Sequence, residues 1–186
     1  MARLVYSFIA SLDGYVEDAD GRFEWAAPGE QAHAFANELE RPVGTHLLGR
    51  RMYETMAVWE TDPELAAHSP VTAEFAELWQ ASEKIVYSGT LTEVSTRRTR
   101  IEPRFEPEQV RALKEAATAD LAIGGAELAG QALAAGLVDE CHAFVAPAVV
   151  GAGKRALPDG LRLDLELSDQ RRFEDGMVYL RYTVRG

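Results

Sequence analysis

Leu121-Ala122-Ile123-Gly124-Gly125-Ala126-Glu127-Leu128 is an apolar run that halts at two glycines and resumes at once in helix-forming residues. A short continuous apolar run is the pattern of a strand buried on both faces. Two glycines at its end allow a ligand to approach the backbone. The first amides of the following helix, Ala126 to Ala135, would then point toward that ligand. A helix N-terminus of this kind attracts phosphate. A tight strand-to-helix turn with no ligand fits the same residues equally well. The pattern is not G-x-G-x-x-G, so it gives no Rossmann fingerprint.

A second junction of this type lies upstream. Thr45 to Leu48 reads as a short strand, and Gly49-Arg50-Arg51 opens a short helix through Met56. Arginine matches the acceptor geometry of a phosphate. A cation at a helix N-terminus is unfavourable for the helix itself, which favours a ligand; a solvated surface pair is the alternative.

Around these junctions, strands and helices alternate. Leu4 to Ala10 is a nearly continuous β-rich apolar run, and Lys84 to Tyr87 is a further strand. Pro28 to Arg41 reads as a helix with His33, Phe35, Ala36 and Leu39 near one face. Ser69-Pro70 is a helix start, with Val71, Phe75, Leu78 and Trp79 as its apolar stripe. Glu106 to Ala117 is helical, and Gly136 ends the helix from Ala126. Val138 to Val150 reads as a long strand bent at Pro147, and Ser11 to Gly29 as a long loop. Near the end of the chain, Leu161, Leu163, Leu165 and Leu167 alternate with polar residues, as do Val178, Leu180, Tyr182 and Val184. Asp175-Gly176 between them signals a hairpin, and the alternation predicts one buried and one wet face. The order predicts one α/β domain over residues 1–186, with a mixed, mostly parallel sheet flanked by helices and closed by an antiparallel C-terminal hairpin.

Composition narrows the function. The chain has 186 residues, enough for a core that needs no disulfide or structural metal. Lys and Arg total 19 against 30 Asp and Glu, a net charge of −11, which argues against nucleic acid or an anionic membrane surface as the main partner. A small phosphate-bearing ligand stays open, because a few arginines suffice for it. The single cysteine, Cys141, excludes an internal disulfide framework and reads as a small buried hydrophobe. The first ten residues read as a strand rather than a signal peptide and no apolar stretch approaches the length of a spanning helix, so a cytoplasmic protein is expected. Metal chemistry is not expected: the four histidines are scattered, and Glu30 with His33 has no second E-x-x-H copy. No G-x-S-x-G elbow is present. The basic runs Arg97-Arg98-Thr99-Arg100 and Gly151-Ala152-Gly153-Lys154-Arg155 are solvated turns or anion subsites.

Five motifs in order resemble the dihydrofolate reductase-like superfamily, and within it the family of the RibD C-terminal reductase domain. They are Ser11-Leu12-Asp13-Gly14; Gly49 to Glu54; Lys84 to Leu91; Ile123-Gly124-Gly125-Ala126 with Gly136 to Glu140; and Pro147 to Gly153. The resemblance implies a three-layer fold and an NADPH-dependent reductase, commonly a homodimer. It implies that Gly124, Gly125, Ala126 and Glu127 border the cofactor pyrophosphate. Gly49, Arg50, Arg51 and Ser88 would surround the adenosine side and select the 2′-phosphate, and Ala10 would lie near the nicotinamide. Trp25, Gly151, Gly153 and Lys154 would face the substrate. Reduction of a C=N or C=O bond also needs a proton, for which Asp13 and Glu30 are the two candidate carboxylates. Trp25-Ala26-Ala27-Pro28-Gly29-Glu30 is similar to the Trp-x-x-Pro-x-Asp segment of dihydrofolate reductases, with Glu in place of Asp. Asp13 reads equally as a turn residue and Glu30 as a helix first-turn residue. The implied reaction is reduction of a phosphoribosylaminouracil. The alternatives are a pterin reductase and a non-catalytic nucleotide-binding protein of the same fold.

Overall fold

Strand β1 (Leu4–Ser11) sits deep in a sheet of eight strands, in a computed structural model that describes residues 2–185. The chain continues through β2 (Tyr15–Asp18), a 3-10 turn (Glu24–Ala26), α1 (Glu30–Glu40), β3 (Val43–Gly49), α2 (Arg50–Met56), α3 (Val58–Thr61), α4 (Pro63–Ala66) and α5 (Pro70–Ala81). Then follow β4 (Glu83–Tyr87), β5 (Thr99–Glu102), α6 (Pro107–Ala116), β6 (Asp120–Gly124), α7 (Ala126–Ala134), β7 (Glu140–Ala146), β8 (Gly153–Arg155), β9 (Asp164–Arg172) and β10 (Val178–Arg185). The sheet order is β5-β4-β3-β6-β1-β7-β10-β9. The strands from β5 to β7 pair in parallel; β10 runs antiparallel to β7, and β9 antiparallel to β10.

The apolar runs become central strands because both of their faces are covered. Leu4, Tyr6, Leu47, Ile85, Leu121 and Ile123 pack against Val110 of α6 and Leu128, Ala129, Ala132 and Leu133 of α7. On the opposite face Leu48 and Val86 meet Tyr53, Ala57 and Trp79, and Phe144 and Tyr179 meet Ala32 and Phe35 of α1. The result is three layers, one α/β domain with the expected fold class. Ser69 caps α5 through a reciprocal capping box with Thr72. Cys141 is buried, and burial pushes its thiol up to about 11.

Several local expectations are corrected. The segment 11–29 is not one loop: it contains β2, which pairs with β8 in a separate two-stranded ribbon. The ribbon depends on Gly153, whose φ is +148° and whose missing Cβ would lie 1.9 Å from the carbonyl oxygen of Glu17. Strand β7 stops at Ala146 rather than bending through Pro147, since proline has no N–H for the ladder. Leu161 and Leu163 precede β9 instead of lying in it. Nor does β9 have a buried face: it is the last strand of the sheet, and Leu165 and Leu167 stay 38% and 48% exposed. Thr99 and Arg100 of the basic run begin the unforeseen edge strand β5.

Candidate functional site

The parallel strands bring their carboxyl ends to one edge of the sheet. Strands β3 and β6 are neighbours there, yet the chain leaves them toward opposite faces. After β3, Tyr53 of α2 joins the Trp79 core; after β6, Leu128 of α7 joins the Leu4 core. Such a switch point leaves a crevice outside the strand ends, the usual ligand site of open α/β sheets.

The glycines line this crevice closely. Gly125 has φ +95°, and a Cβ there would lie 3.8 Å from the amide nitrogen of Gly49 and 3.5 Å from Met52 Cβ. A Cβ on Gly124 would come within 3.0 Å of Leu48 and Met52. Gly125, as the N-cap of α7, offers no side chain to the first amides of that helix. Arg50 reaches the β4 side: its Nη1 donates to Thr90 Oγ1 at 3.0 Å and its Nε to Glu54 at 2.8 Å. Ser88 Oγ accepts from the amides of Thr90 and Leu91 at 3.2 and 3.0 Å. Gly49, Arg50, Ser88, Gly124, Gly125 and Ala126 therefore converge on these strand ends. Thr90 lies inside the Lys84–Leu91 motif without being singled out there as a site residue; its position against Arg50 adds it to the candidates.

Arg51 turns the other way, toward the ribbon. Its guanidinium donates to Glu17 at 3.3 and 3.2 Å. Glu17 also lies 3.9 Å from Lys154 Nζ, and Lys154 lies 2.7 Å from Glu127. Lys154 and Glu127 line a cleft of about 470 Å³ together with Tyr15, Ala126, Gly153, Arg155 and Asp159, and Glu17 and Arg51 extend this chain of charges beyond the lining. The hydrogen bond and charge of Lys154 hold the Glu127 carboxyl below its ordinary value, so it is ionised at neutral pH. Glu17 and Tyr15 escaped the sequence reading because their partners are far away in the chain.

Asp13 accepts hydrogen bonds from the amides of Gly151, at 2.7 Å, and Val150, at 3.2 Å. It thereby ties the end of β1 to the loop after β7. The Ser11 hydroxyl foremost, and these amides, keep its carboxyl below the usual range. Ala10 is buried one turn of chain earlier, at the end of β1. Glu30 is the exposed first residue of α1, and the amide of Gly29 before it donates to Asp175 at 2.8 Å. Trp25, in the 3-10 turn, packs against the core beside Phe35, and its Nε1 is buried without a partner. The basic run lies outside the crevice: Arg97, Arg98 and Arg100 pair with Glu60, Glu83 and Glu102. Among the described residues no three of His, Cys, Asp and Glu converge as a metal ion would need, and no helix is long and apolar enough to cross a membrane.

Strand order and crevice together define a dihydrofolate reductase-like α/β fold. The dihydrofolate reductase of Enterococcus faecalis, complexed with NADP(H) and RAB-propyl, matches over 99% of this chain and 97% of its own, with a TM-score of 0.63 at 13% identity. A candidate riboflavin biosynthesis protein of Shewanella sp. PV-4 matches over the whole of both chains, with a TM-score of 0.75 at 21% identity. Residues 2–179 match the RibD C-terminal domain, and the chain belongs to that family. The uncharacterized protein YyaP of Bacillus subtilis is 28% identical over 191 residues, 99% of this chain and 96% of its own.

Proposed function

We propose that this chain is an NADPH-dependent reductase of a small heterocyclic compound, with a phosphoribosylaminouracil as the substrate class its family suggests. The observation that carries the reading is the switch-point crevice, where Gly125 comes against Gly49, Gly124 against Leu48 and Met52, and the first amides of α7 have no side-chain cap. The residues fit a dinucleotide phosphate. A Cβ at Gly125 would fill the cradle, and Arg50 with Ser88 and Thr90 supplies cationic and hydroxyl donors on the β4 side. Bound there, NADPH would supply the hydride. The chain itself would position the ligands and manage the proton.

Asp13 holds the 147–152 loop in this reading; a carboxylate kept ionised by amide donors is a poor proton source. Glu30 makes no side-chain hydrogen bond among the described residues and is the carboxyl left to orient a substrate or hold its proton. The lone buried thiol of Cys141 suits a reducing, cytoplasmic setting.

Titration of the protein with NADPH and then NADH, followed by tryptophan fluorescence and calorimetry, tests the reading. Saturable binding with preference for NADPH is expected, and no binding by either method refutes it. Binding without turnover on any aminopyrimidine or pterin would instead favour a non-catalytic nucleotide-binding protein. The two arginines separate the contributions. Arg50→Ala is expected to weaken NADPH roughly tenfold more than NADH, whereas Arg51→Ala, on the ribbon side, weakens the two alike. Equal losses for Arg50→Ala would remove the 2′-phosphate assignment.

We further propose a homodimer formed through the β9–β10 face that carries Leu165 and Leu167 beside Val184 and Tyr182. A chain of net charge −11 meets its copy most easily through a face whose side chains are apolar. Leu167→Glu is expected to convert a species of twice the 20.4 kDa chain mass into monomer, read by sedimentation equilibrium. A monomeric wild type would refute the dimer.

A further inference from the structure

The ribbon raises a problem for the proposed site. Glu127 is the second residue of α7, where a carboxylate favours the helix but repels an approaching phosphate. It is 81% exposed and is still drawn to Lys154 at 2.7 Å. Next along this chain of charges Glu17 is held by Arg51 and lies near Lys154. Two cations and two carboxylates thus alternate in one chain of contacts that starts at the cleft, on three separate elements: Arg51 on α2, Glu17 and Lys154 on the ribbon, Glu127 on α7.

We propose that Glu17 and Glu127 are stand-ins for the anionic portion of the dinucleotide: they occupy Arg51 and Lys154 in the free protein and give them up to phosphate oxygens when the ligand enters. The inference rests on the proposed cofactor reading. Three features support it. The exposed pairs are the kind that water screens and that a stronger anion displaces. The diphosphate bridge of a dinucleotide carries two negative charges on adjacent phosphates, so one ligand can meet two cations that separate carboxylates hold in the free protein. The ribbon is short and lies outside the main sheet, so Lys154 sits on a two-stranded element of little independent stability. The carboxylates therefore set affinity: they keep the cations oriented toward the cleft, and they compete with the ligand.

The test is a double-substitution cycle read by calorimetry, with NADPH and with inorganic pyrophosphate as the phosphate-only probe. Glu127→Gln removes the charge and keeps the shape; it is expected to bind NADPH and pyrophosphate roughly three- to tenfold more tightly than wild type. Lys154→Gln is expected to bind at least roughly tenfold more weakly. The loss from Lys154→Gln should be larger in the Glu127→Gln background, because Lys154 there meets phosphate without first giving up a carboxylate. Urea melts of each variant confirm an intact fold. Wild type that binds NADPH while Glu127→Gln binds equally or more weakly overturns the exchange and leaves the cofactor reading standing. Neither protein binding NADPH or pyrophosphate overturns both.

Discussion

At pH 8.5 the Glu40→Gln variant is expected to be about 2 kcal/mol more stable than wild type, and at pH 4.5 the two should melt alike. Glu40 ends α1 with its carboxyl turned inward, 3.6 Å from His46 Nε2. Burial pushes it from an ordinary value of 4.5 up to about 7. Below 4.5 the group is protonated in the folded and unfolded chain and contributes nothing. As pH rises toward 7 the unfolded chain ionises first, so folding loses stability; above 7 the loss levels off. The full interval would be worth about 3 kcal/mol, and a side chain 20% exposed to water loses part of that. His46 acts in the other direction: burial, and then the charge of Lys84, bring it down to about 4. Its contribution is present above 6.5 and is lost as pH falls through 4. Wild type should therefore be most stable in mildly acidic solution, and Glu40→Gln should remove the decline between pH 4.5 and 7 and move the stability maximum toward neutral pH. Urea melts across this range check the prediction; a variant that destabilises at pH 8.5 would show that the carboxyl is hydrated or paired.

Gly125→Val is the second large effect. Valine at φ +95° is strained by about 2 kcal/mol or more, and its methyls would extend from a Cβ already 3.5 Å from Met52 into the space beside the Gly49 amide. Loss of NADPH affinity by roughly 100-fold is expected, close to 2.7 kcal/mol, along with reduced stability. Gly136→Val separates the two causes. Its φ is +64° but nothing lies within 4 Å of its Cβ position, so it should lose stability and keep NADPH affinity. Equal affinity losses in the two variants would mean that backbone strain, not a filled cradle, accounts for the result.

The parts of the fold legible in the sequence are those written in local runs. Buried parallel strands such as Leu121–Ile123 announce themselves by continuous apolarity, and the helix from Pro70 by its cap and stripe. Features that depend on partners far away in the chain were not legible. Tyr15–Asp18 is too short and polar to read as a strand until Gly153 lies beside Glu17. Alternation in Leu165 and Leu167 looks like burial, but a strand at the margin of a sheet has nothing to bury against within its own chain. The two glycine junctions were readable as turns, though not that they abut. Arg50 and Arg51 are adjacent in sequence and diverge in space because successive helical residues point about 100° apart; Thr90 and Glu17 decide where each one goes. Asp13 shows the same limit: an Asp-Gly pair signals a turn, while its two amide donors come from a loop well over a hundred residues later.

The buried thiol of Cys141, raised to about 11, has a practical consequence. Thiolate is the species that alkylating reagents attack, so the folded surface is blank to them at neutral pH. A cysteine introduced directly before the ribbon, for example Ala152→Cys, would be the one position that takes a maleimide dye, with the native residue left in place. The distance from such a dye to a tryptophan of the body would report optically on any rearrangement of the ribbon when a ligand enters.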